Sequence, residues 1–408
     1  MKVWFINPYG PIPTEQWREY RYTMLGKALS ESGHSVIWWT ANYSHHFKLF
    51  RSKGWKDIIV NDNFKIKLVP TTSYKSNFGI GRVLKDIVFA INTYNAAKKL
   101  DRPDLIIAAE NPLTFGYPAL KLAKTLNVKI VYDQMDVWPE FFVHNISDRL
   151  KPLINILMIP VTINRNKNYG KLDGILALAQ PYLEFAINIE PNLGKVMSEV
   201  VYNGIDVIEF RALMNRGEKN FNFSKNYIYA VFAGTLGPSY DLLTLIEVAK
   251  MNAKENNNIC IVVAGSGPFK GEITKHIGII GDKHLKYVGK LKPIELCQLY
   301  MQCDIGLSAY TAKSNVEMPD KIYDYTAAGL PVINSLKGEV ENVINNYEIG
   351  YNYSPGNAFD LYEKIKLIAS RDVVRKKMGY NSLKCAMQYD KNVQNDKFVK
   401  FVEKYRIN

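Results

Sequence analysis

The residues whose types and spacing could do chemistry are densest at 316–333, VEMPDKIYDYTAAGLPVI. Pro319 suits a first helical turn, Asp320 favours the positive end of the helix dipole, and Gly329 followed by Pro331 ends the helix. Lys321 and Asp324 are three apart and share a face near that end. There an ammonium group can neutralise a phosphate while a carboxylate accepts hydroxyl protons from a ribose. The same spacing describes a surface ion pair, so both readings stand on spacing alone.

Two glycine-bearing loops offer the rest of an anion site. AGTLGPSYD at 233–241 lies between an apolar run and a helical stretch, where Gly234, Thr235 and Gly237 can present backbone N–H groups to a diphosphate or simply make a tight turn. VVAGSGP at 262–268 follows another apolar run, and Gly265 and Gly267 permit a flat ligand or a turn to approach closely. In the first half, VYDQMDVWPE at 131–140 sets Asp133, Asp136 and Glu140 just beyond a strand, with Trp138 as an apolar platform. Carboxylates at such an edge can orient a sugar or act as a base, and can equally cap a helix.

These segments need a scaffold that points them the same way. Apolar runs at 3–7, 36–40, 104–109, 129–133 and 173–177 alternate with helical stretches at 14–32, 83–100 and 118–126. The pattern resets near 191–203 and repeats with strands at 228–233, 259–264, 285–288, 305–309 and 332–334. Continuous apolar runs alternating with helices predict buried parallel sheets, so the chain reads as an α/β protein of two doubly wound domains. Ligands of such sheets bind outside the carboxyl ends of the strands. The closing stretch, 358–405, reads as two helical blocks separated near Gly379.

Length and composition agree. The chain has 408 residues, 47% hydrophobic and 22% charged, a globular composition at a length that suits two domains. The four cysteines form no C-x-x-C pair, so buried free thiols are expected. The opening MKVWFINPYG has too few apolar residues for a signal-peptide core, and no stretch reaches the about 18 apolar residues of a spanning helix. This predicts a cytoplasmic location. There is no Asp-x-Asp triplet, P-loop or G-x-S-x-G, so no metal, phosphoryl-transfer or serine-hydrolase site is expected. Of the net charge of +13, residues 44–100 hold +8, from 11 basic and 3 acidic side chains. Such a segment suits phosphates or an anionic surface, or is a solvated lysine face. Aromatic residues are not interleaved with it as single-strand binding requires, so no nucleic-acid partner is expected.

Taken together, G-H-x-V at 33–36, Asp-x-Trp-Pro-Glu at 136–140, Asn-Gly-Ile-Asp at 203–206, AGTLG, VVAGSGP, YVGKL at 287–291 and MPDKIYDYTAAGLPVI resemble glycosyltransferases of the GT-B fold, family 4, of the bacterial capsule or lipopolysaccharide type. The resemblance implies two facing Rossmann-like domains: an acceptor domain at 1–198, a nucleotide-sugar domain at 199–385, and a last helix, 386–408, packing back on the first. It implies a retaining transferase that uses no metal and no cofactor, moving a sugar from a nucleotide donor, by precedent a uridine diphosphate sugar, to a glycan or lipid-diphosphate acceptor. Donor contacts would fall on Gly234, Thr235, Gly237, Gly265, Lys290, Leu291, Lys321 and Asp324. Acceptor-side contacts would fall on Gly10, Arg82, Trp138 and Glu140, with Asp136 orienting the attacking hydroxyl.

The chain departs from the family pattern in two places. The glutamate expected eight before Asp324 is displaced by one, since Val316 stands there and Glu317 follows, so Glu317 is the candidate for the contact with the sugar. The usual Arg and Lys beside the first donor loop are absent from 238–241. A sugar-nucleotide epimerase of the same architecture, or a non-catalytic nucleotide-sugar binder, are the alternatives. Finally, LKPLINILMIPVTI at 150–163, flanked by basic residues, is either a buried core helix or a segment that docks on an anionic inner leaflet.

Overall fold

The computed structural model describes residues 1–15, 19–75, 79–110, 113–140, 143, 146, 149–216 and 221–407. They form two units, Met1–Tyr202 with Gln394–Asn408, and Asn203–Val393.

In the first unit, β1 (Lys2–Ile6), β2 (Ser35–Ala41), β5 (Leu105–Ala109), β6 (Lys129–Gln134), β7 (Gly174–Ala177) and β8 (Met197–Val200) run parallel. Apart from β8, where Ser198 and Glu199 are half-buried, their interiors are apolar on both faces, which is why they read as unbroken runs. The sheet order is β3-β4-β2-β1-β5-β6-β7-β8. Its far edge is a pair that the apolar-run reading passes over. β3 (Lys56–Asn61) and β4 (Phe64–Val69) are antiparallel, and lysines alternate with Phe64, Ile66 and Leu68 along β4. Three of the segment's basic residues, Lys56, Lys65 and Lys67, thus lie on a half-buried hairpin.

Helix α1 is Arg21–Glu31, shorter than the stretch 14–32 because Pro13–Glu15 makes a separate 3-10 turn. Arg21 is buried, with Nε 2.9 Å from one Asp133 oxygen and Nη2 2.9 Å from the other. Asp133 is therefore occupied as a structural partner, and removing either member would cost about 3–5 kcal/mol by stranding the other charge. Helices α2 (Ile80–Ala97), α3 (Leu113–Leu126), α4 (Lys151–Tyr169) and α5 (Gln180–Ile189) complete the layers of this unit. The core-helix reading of 150–163 fails. In α4 only Arg165, Asn168 and Tyr169 are buried, and Ile156 is 63% exposed.

In the second unit, α6 (Val207–Asn215) precedes a fully parallel sheet of order β11-β10-β9-β12-β13-β14, built from β9 (Ile228–Thr235), β10 (Ile259–Ser266), β11 (Leu285–Gly289), β12 (Ile305–Ser308), β13 (Val332–Asn334) and β14 (Gly350–Asn352). Helices α7 (Leu242–Glu255), α8 (Lys270–Ile280), α9 (Pro293–Met301), α10 (Asp320–Ala328), α11 (Glu339–Asn346), α12 (Ala358–Ala369) and α13 (Asp372–Gln388) flank it. Gly379 marks no helix break. It lies inside α13, where a Cβ would come 2.6 Å from the Gly329 carbonyl oxygen, so it lets α13 pack closely on the end of α10. This packing carries the second unit past residue 385, and α14 (Lys391–Ile407) gives Phe398, Phe401, Val402 and Tyr405 to the core of the first unit. The first boundary falls after 202 rather than 198 because β8 extends the first sheet and Tyr202 N–H donates to Gln394.

The four cysteines are free and buried. Among the described residues no helix is long and apolar enough to cross a membrane.

Candidate functional site

In the second sheet, β10 lies on one side of β9 and β12 on the other, so the strand order reverses at β9. A reversal of this kind opens a crevice at the carboxyl ends of the strands. The glycines there are fixed by close approach. A Cβ at Gly265 would lie 1.8 Å from the Gly234 carbonyl oxygen, at a φ of +138°. Beyond them, Leu236 N–H donates to Ser266 O at 2.9 Å, so the two glycine loops are bound to each other. Thr235 and Gly237 are in the same turn, and Tyr287 OH donates to Gly265 O at 2.8 Å. Lys290 and Leu291 follow β11, ahead of a capping box in which Glu295 accepts from Lys292 N–H at 2.8 Å.

Lys321 enters this crevice from the first turn of α10. Its side chain is 6% exposed, and Nζ has no hydrogen-bond partner among the described residues. The ammonium lies 4.1, 4.3 and 4.6 Å from the ring centres of Phe232, Tyr240 and Tyr310. A Cβ added to Gly234 would be 3.6 Å from Nζ. Cation–π contacts offset part of the cost of this burial but supply no acceptor. Burial drives the amine well below the ordinary lysine pKa, and Asp324 on the same face opposes that fall. Asp324 is itself buried. Tyr325, one residue on, anchors the helix: its OH lies 3.2 Å from Val231 O and Leu307 O and accepts from Ala233 N–H at 3.2 Å.

Glu317 is tied to the start of α11. Its carboxylate accepts from Glu339 N–H at 2.9 Å and so caps α11.

The first unit has a second group of candidates at the carboxyl ends of β1, β5 and β6. A Cβ on Gly10 would fall 2.1 Å from the Tyr20 ring, so only glycine fits. Arg82 Nε donates to Tyr9 OH at 3.0 Å. Trp138 is half-buried, and its carbonyl accepts from Arg165 Nη1. Glu140 makes a two-pronged pair with Arg165, at 2.6 and 3.0 Å, which fastens α4 to the loop after β6. Glu140 is thereby a structural clasp as well as an acceptor-side candidate. The carboxyl of Asp136 is pushed up to about 6 by surrounding protein, against the pull of Arg82. Because Asp136 is more than a third exposed, solvent weakens that push.

Sequence reading missed Glu110, which directly follows β5. It is 2% exposed, and neither carboxylate oxygen has a hydrogen-bond partner among the described residues. Burial pushes its carboxyl up to about 8, Arg165 pulls it down, and Asp136 and Glu140 push it further up. The available signal was a lone acid closing the apolar run LIIAAE.

Residues 215–384 match the family described as glycosyl transferases group 1. The matched stretch lies within the second unit. Curated relatives of the chain include chitobiosyldiphosphodolichol beta-mannosyltransferase of Candida glabrata, 31% identical over 28% of this chain and 27% of that protein. The protein of the same name from Candida albicans is 23% identical over 34% of this chain and 33% of its own length. The alignments thus span about a third or less of those relatives. The whole chain is similar to HepE of Anabaena, solved in complex with UDP, at a TM-score of 0.71 and 14% identity over 99% of this chain and 100% of that one. It is also similar to sucrose-phosphate synthase of Thermosynechococcus elongatus, at 0.68 and 14% over 99% and 98%. The fold is therefore the two-domain α/β architecture of GT-B glycosyltransferases, with mostly parallel sheets.

Proposed function

We propose that the chain transfers a sugar from a nucleoside diphosphate sugar to a glycan or lipid-linked acceptor, in bacterial surface polysaccharide synthesis. One observation carries the donor half: Lys321, a buried amine without a hydrogen-bond acceptor among the described residues, set against the glycine turn at a strand-order reversal. A diphosphate in that turn would receive backbone N–H groups and a charge-assisted bond from Lys321, while Asp324 would accept from a ribose. Gly265, Lys290 and Leu291 would flank the base, and Glu317 would serve the sugar. Uridine diphosphate is the proposed carrier, supported by the UDP named in the HepE complex. A lipid-diphosphate acceptor is supported by the dolichol-diphosphate substrate named in the Candida relatives.

Charge builds on the leaving diphosphate as the glycosidic bond breaks, and preorganised donors there lower the barrier most. In this reading Lys321 supplies that cation without a metal or cofactor. On the first unit, Asp136 orients the attacking hydroxyl, with Gly10, Trp138, Glu140 and Arg82 around the acceptor. The proposed outcome is retention at the anomeric carbon, which the anomeric NMR signal of the product would read directly. A thermal-shift panel of nucleoside diphosphates and their sugars tests the donor assignment. Uridine diphosphate should raise the melting temperature, and Asp324→Ala should cut its affinity by about tenfold, the loss of one charge-assisted hydrogen bond. Unchanged affinity in that variant would remove Asp324 from the site.

The proposed place of the chain is the cytoplasmic face of the membrane. Its support is the exposed apolar side of α4, where Leu153, Ile156, Leu157, Ile159 and Ile163 face solvent, with Arg149, Lys151 and Lys167 at its ends. α3 packs against both α4 and α2, and α2 exposes Ile80, Val83, Leu84, Ile87 and Ile91. A recess of about 260 Å³ lined by Pro139, Glu140, Lys151 and Met158 opens beside α4. Apolar side chains ringed by lysines suit an anionic leaflet. The protein should float with phosphatidylglycerol vesicles and not with phosphatidylcholine ones. Ile156→Asp with Leu157→Asp should reduce bound protein at least about tenfold, given the transfer energy of two such side chains. Equal behaviour on both vesicles would reject the docking.

A further inference from the structure

The three rings around Lys321 come from three separate segments of the second unit. Phe232 lies on β9, Tyr240 lies in the turn that leads into α7, and Tyr310 follows β12. Phe232 and Tyr240 meet edge to face with ring centres 5.3 Å apart, and the centres of Tyr240 and Tyr310 are 4.8 Å apart. The turn that carries Tyr240 is tied to the stretch that carries Tyr310. Asp241 N–H donates to Ala309 O at 3.2 Å and Thr311 N–H to Ser239 O at 3.1 Å, with an antiparallel bridge between Tyr240 and Tyr310. Both segments are anchored further. Asp241 accepts from Tyr353 OH at 3.1 Å and from Gly356 N–H at 2.8 Å, and Tyr310 N–H donates to Ser335 Oγ at 2.7 Å. The cup is therefore set by bonds that do not involve Lys321.

An electrostatic partner for the ammonium stands on the same helix. Asp324 is three residues on, a spacing at which lysine and aspartate pair along a helix, yet Nζ makes no hydrogen bond to it. The ammonium lies instead over the rings, at 4.1, 4.3 and 4.6 Å from their centres, where the ring quadrupole attracts a cation. Ring faces engage N–H groups only weakly, so the three donors of Lys321 stay uncommitted. The rings differ in exposure. Phe232 and Tyr310 are buried, whereas Tyr240 is half-buried and forms the wall of the cup that solvent reaches. Residues 238–241 hold no basic side chain, so what this turn gives to the charge of the crevice passes through the Tyr240 ring.

We propose that Tyr240 is a positioning residue of the donor site: its ring closes the cup that holds the Lys321 ammonium away from Asp324, so that a diphosphate entering the crevice, rather than the carboxylate, receives the N–H donors. That the ligand is a diphosphate rests on the transferase reading, whereas the hold of Tyr240 on Lys321 does not. Without the ring, the cup opens to water and Nζ is drawn into the ordinary i, i+3 pair with Asp324, which engages the cation ahead of any ligand. The attraction is to the face of the ring, so phenylalanine serves in place of tyrosine and an aliphatic side chain does not.

The first test needs no ligand. Trace acetylation of the whole protein by acetic anhydride across a pH series, read at Lys321 by mass spectrometry, follows its neutral amine. Burial keeps that amine well below the ordinary lysine pKa in the wild type. Pairing with Asp324 favours the charged form, so Tyr240→Leu should shift the labelling curve upward by about one pH unit, while Tyr240→Phe should leave it in place. The second test uses uridine diphosphate. Tyr240→Leu should weaken its binding about tenfold, Tyr240→Phe should bind as the wild type does, and Tyr240→Leu in a Lys321→Met protein should add no further loss. Equal weakening in both backgrounds would show that Tyr240 touches the ligand itself and would overturn its action through Lys321. A labelling curve unmoved by Tyr240→Leu overturns the cup, and Tyr240→Met, which refills the space without a ring, decides the matter should the leucine variant not fold. Failure of the wild type to bind uridine diphosphate, with the labelling shift intact, overturns the donor reading and leaves the hold of Tyr240 on Lys321 standing.

Discussion

Replacing Lys321 by methionine is expected to make the protein more stable and to abolish binding of the nucleoside diphosphate. The two effects share one cause. In the free protein an ammonium group is held away from water against Phe232, Tyr240 and Tyr310 with no hydrogen-bond acceptor among the described residues. Leaving a buried polar group unsatisfied costs about 1–3 kcal/mol, of which cation–π contacts return a fraction. Methionine has similar length, fills the aromatic cage and carries no such cost. A gain of about 1 kcal/mol in chemical denaturation is expected, with uridine diphosphate affinity falling about a hundredfold, the equivalent of about 3 kcal/mol. Protons supply an independent readout. Because burial lowers the amine's pKa and an arriving diphosphate raises it again, binding should take up protons in the pH range between the free and the bound values. Calorimetry in two buffers of different ionisation enthalpy should show uptake in the wild type. A Lys321→Met protein that is less stable and binds as before would show that this lysine is a packing residue.

How far the sequence disclosed this site depends on where the determining forces act. Helix α10 was legible to the residue because its stops are local: Pro319, Asp320, Gly329 and Pro331 act on their own backbone. The glycine turns were legible as turns. Their purpose was not, because the 1.8 Å approach at Gly265 is made by a neighbouring strand, β9, that is distant in sequence. The β3–β4 hairpin escaped because its alternation is written in lysines and aspartates that also read as a charged surface. Asp133 read as a functional acid, yet it is neutralised by Arg21 from 112 positions earlier, a partnership no local pattern reveals. The exposed side of α4 shows the converse. Its composition suited a core, and only the fold shows that neighbours leave Ile156 and Leu157 uncovered.

Glu110 provides the second large effect, this time in the response to pH. Its carboxyl is buried without a donor among the described residues at the end of β5 and is raised to about 8, first by burial and then by Asp136 and Glu140, against Arg165. An unfolded glutamate titrates at about 4.3. Between those two values the folded protein therefore holds a proton that the unfolded chain releases. Stability must then fall as pH rises through that window, levelling off above the folded value. The difference is on the order of 5 kcal/mol for this one group, reckoned at about 1.4 kcal/mol per unit. Glutamine keeps the shape and removes the titration, so Glu110→Gln should flatten the decline in melting temperature between about pH 5 and pH 8 and should be the more stable protein at pH 8. Charge on Glu110 also opposes charge on Asp136, which couples this buried acid to the residue assigned to the acceptor hydroxyl. Where Asp136 titrates, near 6, Glu110 still holds its proton, so Glu110→Gln should leave the acidic limb of the pH–rate profile in place. A variant whose melting profile superimposes on the wild type, or whose acidic limb moves, would show that Glu110 is charged and solvated in solution, and that this end of the sheet is open where the structure closes it.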